Sequence, residues 1–200
     1  MYNRCYKKEV SIKTKNILIE IAISFALYWI FAAFIYFVPE LKSGLYNYYL
    51  FLPAGVKFFA VLIFGWRGAV GTGLAIFSRL ILTDPLVPWY SWIIVSIASS
   101  LAMFLVVEWG LRLFKVERNL SNLKYYQIVV LATVTSVVNG FLFAYVVASL
   151  GIGQVSTEIF HNGIVVTMGN FAGNAVFVCT AVILLRQKTV ILDYVNRFRH

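Results

Sequence analysis

Residues 51–82 read FLPAGVKFFAVLIFGWRGAVGTGLAIFSRLIL, and the number of times this stretch crosses a bilayer decides the fold. About twenty residues of helix suffice for one crossing, so the run is long for one span and short for two. It also holds Lys57, Arg67 and Arg79, with Gly-Trp-Arg-Gly at its middle. Either it is one span with a long overhang, or it is two spans joined by a turn at Gly65–Gly68.

The rest of the chain decides between these. Of 200 residues, 61% are hydrophobic and 12% charged, whereas a soluble domain is nearer half apolar and a quarter charged. The excess lies in long uninterrupted runs, as in an integral membrane protein. The polar start, MYNRCYKKEVSIKTKN, leads into a run longer than a signal-peptide core, so the first span is expected to be its own uncleaved insertion signal. The net charge of +9 comes from residues flanking the apolar runs. There they set topology and meet anionic lipid headgroups, so membrane lipids are the expected partner and nucleic acid is not. Cys5 and Cys179 offer neither a metal spacing nor a disulfide framework; Cys5, among basic residues, is at most a weak lipidation motif.

The apolar runs are Ile17–Val38, Leu50–Phe64, Ala69–Leu82, Trp89–Phe114, Tyr125–Leu150 and Ile164–Leu185. They predict an all-α polytopic membrane protein with six transmembrane helices, the second and third short and tightly connected. A basic cytoplasmic tail is expected over 1–16, a six-helix transmembrane domain over 17–186, and a cytoplasmic amphipathic tail over 187–200. That last tail reads as a membrane-surface helix or as a docking segment for a partner.

Positive charge checks this topology. With the N-terminus in the cytoplasm, that side collects Arg4, Lys7, Lys8, Lys13, Lys15, Arg67, Arg112, Lys115, Arg118, Lys124, Arg186, Lys188, Arg197 and Arg199. The opposite side has only Lys42, beside Glu40, Asp84 and Glu158. A single span over 51–82 would place the basic 112–124 loop outside, against the positive-inside rule. Two short helices with Arg67 at a cytoplasmic turn are therefore expected, in a bacterial inner membrane with both termini cytoplasmic. Pro53 suits the first turn of the second span, and Gly65 and Gly68 allow a tight turn between packed helices. Tyr46, Tyr48, Tyr49, Trp89, Tyr90 and Trp92 are expected as an outer interfacial belt.

Polar residues within spans need a partner or an escape to the interface. Lys57 lies near a helix N-terminus, which already favours anions, and Arg79 lies at similar depth on the antiparallel neighbour. Together they suit a carboxylate, a phosphate, another small anion or a lipid headgroup. The plainer alternative is that both snorkel, or pair with Glu40, Asp84 or Glu158. Gly68, Thr72, Ala75 and Arg79 share one small, polar helix face, which turns Arg79 toward the bundle. In GNFAGN of the sixth span, Gly169 and Gly173 form a GxxxG pair for close packing. Asn170 and Asn174 sit one turn apart, either as interhelical hydrogen bonders or as cavity lining. Glu108 and Arg112 form an ordinary i,i+4 pair, Glu20 is expected to meet a basic tail, and Asn139-Gly140 marks a packing notch. His161, assigned to an external loop, has no second histidine near it for a metal site. No nucleophile–base pair, phosphate loop or zinc signature occurs, so no enzyme, metal or cofactor is expected.

With these residues in place, FLPAGVKFFAVLIFGWRGAVG resembles the signature of MASE1-type integral membrane sensory domains. There an F/W-L-P-x-G element opens one helix and a G-R/W-R element closes it. GNFAGNAVFVCTAVILL is similar to that family's final-span element, with Asn170 where an acid is usual and without the proline common after the aliphatic run. The resemblance implies a sensory module; those domains normally precede kinase or cyclic-di-nucleotide output domains. The chain ends soon after its last span, so the implied output is a separate membrane or cytoplasmic protein. In layout the chain is also similar to the substrate-binding components of energy-coupling-factor transporters, six-span chains that meet a coupling partner through small residues of the first span, here Ala22 and Ala26. The expected function is a non-enzymatic sensory or ligand-binding module acting through a partner. A transport component, or an accessory subunit packing on a larger complex, is the alternative.

Overall fold

The computed structural model describes residues 2–42, 44, 46, 48–117, 120–152 and 159–197. They form six α-helices: α1 (Tyr2–Tyr36), α2 (Leu52–Phe64), α3 (Trp66–Thr83), α4 (Trp89–Leu113), α5 (Tyr125–Ser149) and α6 (Ile159–Arg197). A short 3-10 turn, Pro39–Leu41, follows α1. No strand occurs among the described residues; Lys42 and Tyr48 share one isolated bridge.

Four segments are long and apolar enough to cross a membrane: Thr14–Tyr36, Trp89–Leu113, Tyr125–Ser149 and Ile159–Thr180. This is a membrane protein, all-α, with short second and third helices between its longer ones. α4 and α5 end within one residue of the apolar runs that predict them. The tails differ from expectation in having no helix break. α1 starts at Tyr2 and α6 continues to Arg197, so the boundaries at 17 and 187 fall inside continuous helices.

The opening stretch is a helical hairpin. Pro53 lies in the first turn of α2, where its missing N–H costs nothing. Gly65 alone separates α2 from α3. It takes φ +62° and ψ −131°, a backbone state open essentially to glycine, while its N–H donates to the Val61 carbonyl at 2.8 Å. Gly68 lets the two helices touch, since a Cβ there would collide with the Ala60 carbonyl.

α2 is the central helix. Ten of its 13 residues are buried, from Leu52 through Phe58 and from Ala60 to Leu62. At 1.5 Å per residue it spans about 20 Å, short of a bilayer core of about 30 Å. Such a helix survives inside protein, surrounded by longer neighbours that meet the lipid. Those neighbours expose large apolar side chains such as Leu18, Ile30, Leu101, Leu105 and Trp109, and turn serines inward, as α4 does with Ser91, Ser96, Ser99 and Ser100. Hydrophobic burial gives little drive between helices in lipid, so small and hydrogen-bonding residues hold them together.

The two larger apolar clusters of the bundle contain Tyr28, Val56, Ile76, Trp92, Val95 and Val147, and Phe58, Val61, Met103, Val107 and Leu131; a smaller third holds Ile35, Tyr48 and Leu52. Lys57 lies between Val56 and Phe58, and Ser99 between Val95 and Met103. A polar layer therefore separates the two clusters.

Candidate functional site

Lys57 is 2% exposed. Its Nζ donates to Asn139 Oδ1 at 2.9 Å and to Ser99 Oγ at 3.0 Å. Ser99 Oγ in turn donates to Asn139 Oδ1 at 2.6 Å. An ammonium group has three donors, so one N–H remains beyond this triangle. Lys57 does not snorkel, and no salt bridge reaches it among the described residues.

Arg79, 5% exposed, sits over two rings, its Cζ 4.9 Å from the Phe51 ring centre and 5.6 Å from that of Tyr48. Weakly hydrated guanidinium is the cation best suited to aromatic faces. Its Nε has no hydrogen-bond partner among the described residues. Asp84, one alternative partner, is engaged otherwise: Tyr46 donates to its Oδ2 at 2.6 Å and the Leu86 N–H to its Oδ1 at 3.2 Å. Glu158, another, lies outside the described residues.

These two cations line one cavity of about 30 Å³, together with Tyr28, Tyr48, Phe51, Ser99, Asn139 and Asn170, among others. All six helices contribute, from Tyr28 of α1 to Asn170 of α6. Tyr28 Oη and Asn170 Nδ2 are both buried without a hydrogen-bond partner. A buried polar group left unpaired costs about 1–3 kcal/mol, and here three such atoms, counting Arg79 Nε, belong to residues that line a single cavity. No carboxylate lines it among the described residues.

Asn174 is held apart from this group. Its Nδ2 donates to Ser136 Oγ at 2.9 Å and to the Ala132 carbonyl at 3.2 Å, joining α6 to α5. The pairing of Asn170 and Asn174 therefore splits: one turn of helix takes the first to the cavity and the second to the α5 interface.

Gly169 and Gly173 receive the backbone that leads into α2 and its first turn, where a Cβ on Gly55 of α2 would in turn meet the Gly173 carbonyl at 2.9 Å. A Cβ on Gly169 would collide with the Tyr48 carbonyl, and one on Gly173 with the Phe51 carbonyl. The Phe51 N–H donates to the Gly169 carbonyl at 3.0 Å. The GxxxG groove thus seats the chain leading into α2 and fixes the two rings beneath Arg79.

Two further expectations, on the aromatic belt and on His161, are corrected. Tyr46, Tyr48 and Trp92 are buried, because their polar atoms and rings are used inside: Tyr46 on Asp84, Trp92 Nε1 on the Asp84 carbonyl at 3.2 Å, and Tyr48 under Arg79. Only Tyr49, Trp89 and Tyr90 of that set are exposed. Glu20 pairs with Arg67 of the hairpin turn across 2.7 Å, and the side chains of the basic tail at 1–13 lie outside the described ones. His161 lies in the first turn of α6 rather than in a loop. The Glu108–Arg112 pair forms as expected, at 2.8 Å. Burial, then the hydrogen bond to Asp84, raises the Tyr46 phenol above its ordinary range.

Ser99, Asn139 and Tyr28 are the cavity residues the sequence reading passed over. The inward serines of SIASS were the available signal for Ser99. Asn139 was read only with Gly140, where a Cβ would meet Thr167 of α6. No family model matches the sequence, and no curated protein or solved structure matches it either.

Proposed function

We propose that this chain is a non-enzymatic, membrane-embedded binding module for a small anionic ligand, and that it reports occupancy to a separate membrane or cytoplasmic protein. The observation that carries this reading is the convergence of the buried residues Lys57, Arg79, Asn170 and Tyr28 on one small cavity that no described carboxylate lines. Uncompensated positive charge and unpaired donors at low dielectric favour an anion.

A reporting role draws support from the lining. A ligand held in a cavity lined by all six helices binds best to one packing of the bundle and so shifts the population toward it. The MASE1-type resemblance points the same way, since Phe51 of the FLPAG element supplies a ring beneath Arg79. Positive-inside asymmetry supports an orientation with both termini cytoplasmic, and a bacterial inner membrane is the setting proposed for it. Tyr46, Tyr48 and Phe51 then put the cavity on the side facing away from the cytoplasm.

The test is a melting curve of purified protein in detergent, with sodium gluconate replaced by salts of smaller anions at constant ionic strength. Saturable stabilisation is expected for the wild type, by about 2.7 kcal/mol at a hundredfold excess over the dissociation constant. Arg79→Gln should lose most of it. A flat response of the wild type to every anion overturns the reading.

A further inference from the structure

We infer that the ligand of this cavity is a compact, weakly hydrated monoanion of the chloride, bromide and nitrate class, and not a phosphate, a lipid headgroup or a carboxylate. The inference rests on the anion-binding reading above and names the ligand's size and hydration.

Size is the first argument. The cavity measures about 30 Å³, and one water needs about 10–15 Å³ on the same measure. There is room for two or three waters, hence for a solute of about one to four non-hydrogen atoms. A tetrahedral phosphate or sulfate exceeds this, and so does the phosphate of a lipid headgroup.

The donor set is the second. The remaining Lys57 N–H, Arg79 Nε, Asn170 Nδ2 and Tyr28 Oη are all able to donate. They come from four different helices, on residues that line one small space, so they suit a single compact acceptor more than a chain of separate groups. Ser99 Oγ and Asn139 Oδ1 are already committed to Lys57 and to each other. They hold the ammonium in place and leave the ligand to the other donors.

The walls are the third. Phe51, Tyr48, Ile76, Phe143 and Val166 line the cavity as well. An ion entering it gives up most of its water, and apolar walls return none of that hydration. The cost is greatest for strongly hydrated ions, so bromide and nitrate should bind better than fluoride. Arg79, already stacked on aromatic faces, is the less hydrated of the two cations and matches such an ion.

Titration calorimetry on the whole purified chain in gluconate buffer tests this, with sodium chloride, bromide, nitrate, fluoride, sulfate and phosphate as separate probes. Chloride, bromide and nitrate should bind saturably at one site, with fluoride, sulfate and phosphate at least about tenfold weaker. Tyr28→Phe keeps the ring and removes one donor, so chloride should bind about tenfold more weakly. The anion-free melting temperature should hold or rise, because a buried unpaired hydroxyl is gone. Lys57→Gln should lose binding more completely; if that variant fails to fold, Tyr28→Phe and Asn170→Ala carry the test. Binding of phosphate or sulfate in preference to chloride overturns the compact-anion inference and leaves the anion-binding reading standing. Binding of none of the six overturns both. Unchanged chloride affinity in Tyr28→Phe and Asn170→Ala overturns the assignment of the site to this cavity.

Discussion

Arg67 Nη1 lies 2.7 Å from Glu20 Oε2, which ties the turn of the α2–α3 hairpin to α1. The same pair lines a cleft of about 640 Å³ with Glu108, Arg112, Val116 and Glu117. The hairpin turn and the basic α4–α5 loop therefore share one end of the bundle, while Tyr46 and Asp84 meet at the other. Membrane orientation follows as a prediction. With Cys5 and Cys179 replaced by serine, a cysteine at Gly44 should react with an impermeant maleimide from outside intact cells. One at Val116 should react only after the membrane is opened, and reaction of Val116 from outside would refute the orientation.

The Tyr46–Asp84 hydrogen bond gives a pH prediction. The folded phenol holds its proton more tightly than the unfolded one, whose pKa is about 10. The native state therefore binds more protons above that pH, and stability falls as pH rises. The contribution is complete below about pH 10 and drains away through the raised folded value. Unfolding measured from pH 8 to 11 should show an alkaline loss in the wild type that is smaller in Tyr46→Phe. At pH 7 that variant should be about 1–2 kcal/mol less stable. Parallel alkaline profiles would show that the shift is absent.

Gly173→Leu should prevent proper assembly, since any side chain there meets the Phe51 carbonyl. Gly173→Ala should already lower the melting temperature and weaken anion stabilisation, because moving Phe51 moves a ring beneath Arg79. Gel filtration in detergent and the anion melting assay read the two effects. A well-behaved Gly173→Leu protein with normal anion response would place this face of α6 against lipid.

The two asparagines of α6 should separate. Asn174→Ala loses the bond to Ser136 and should cost about 0.6–1.7 kcal/mol, the range of interhelical hydrogen bonds in membranes, with the anion midpoint unchanged. Asn170→Ala should weaken anion binding with little change in anion-free stability, as its Nδ2 has no described protein partner to lose. The reverse pattern would exchange the roles assigned to the two residues.

Helix number and the short hairpin were legible in the sequence because a bilayer imposes length and charge asymmetry directly. Pro53, Gly65 and Arg67 each mark a point along the chain, and local chemistry fixes what happens there. Lys57 and Arg79 were legible for the same reason, as charges that topology leaves unexplained. The partners of these charges were not. Ser99 and Asn139 resemble the many hydroxyls and amides that satisfy their own helix, as Ser100 does by donating to the Ser96 carbonyl at 2.6 Å. Their use depends on which helices become neighbours and at what rotation, and no short stretch encodes that. The inward turn of Tyr46, Tyr48 and Trp92 was hidden likewise: an aromatic at a helix end suits an interface equally well until Asp84 and Arg79 are seen to claim it.

The acceptors of Lys57 lie 42 and 82 residues further along the chain, and this has a consequence for how the protein is made. When α2 leaves the ribosome it is a short apolar segment carrying a bare cation, and a charge held in hydrocarbon opposes insertion. Nothing synthesised so far relieves that cost. Ser99 arrives with α4, and Asn139 only with α5. The hairpin must therefore wait, loosely held at the translocon or the interface, until the second half of the chain emerges to receive it. A nascent chain stopped after α4 displays an unsatisfied charge within its membrane segments, and quality-control proteases can recognise it as unfinished.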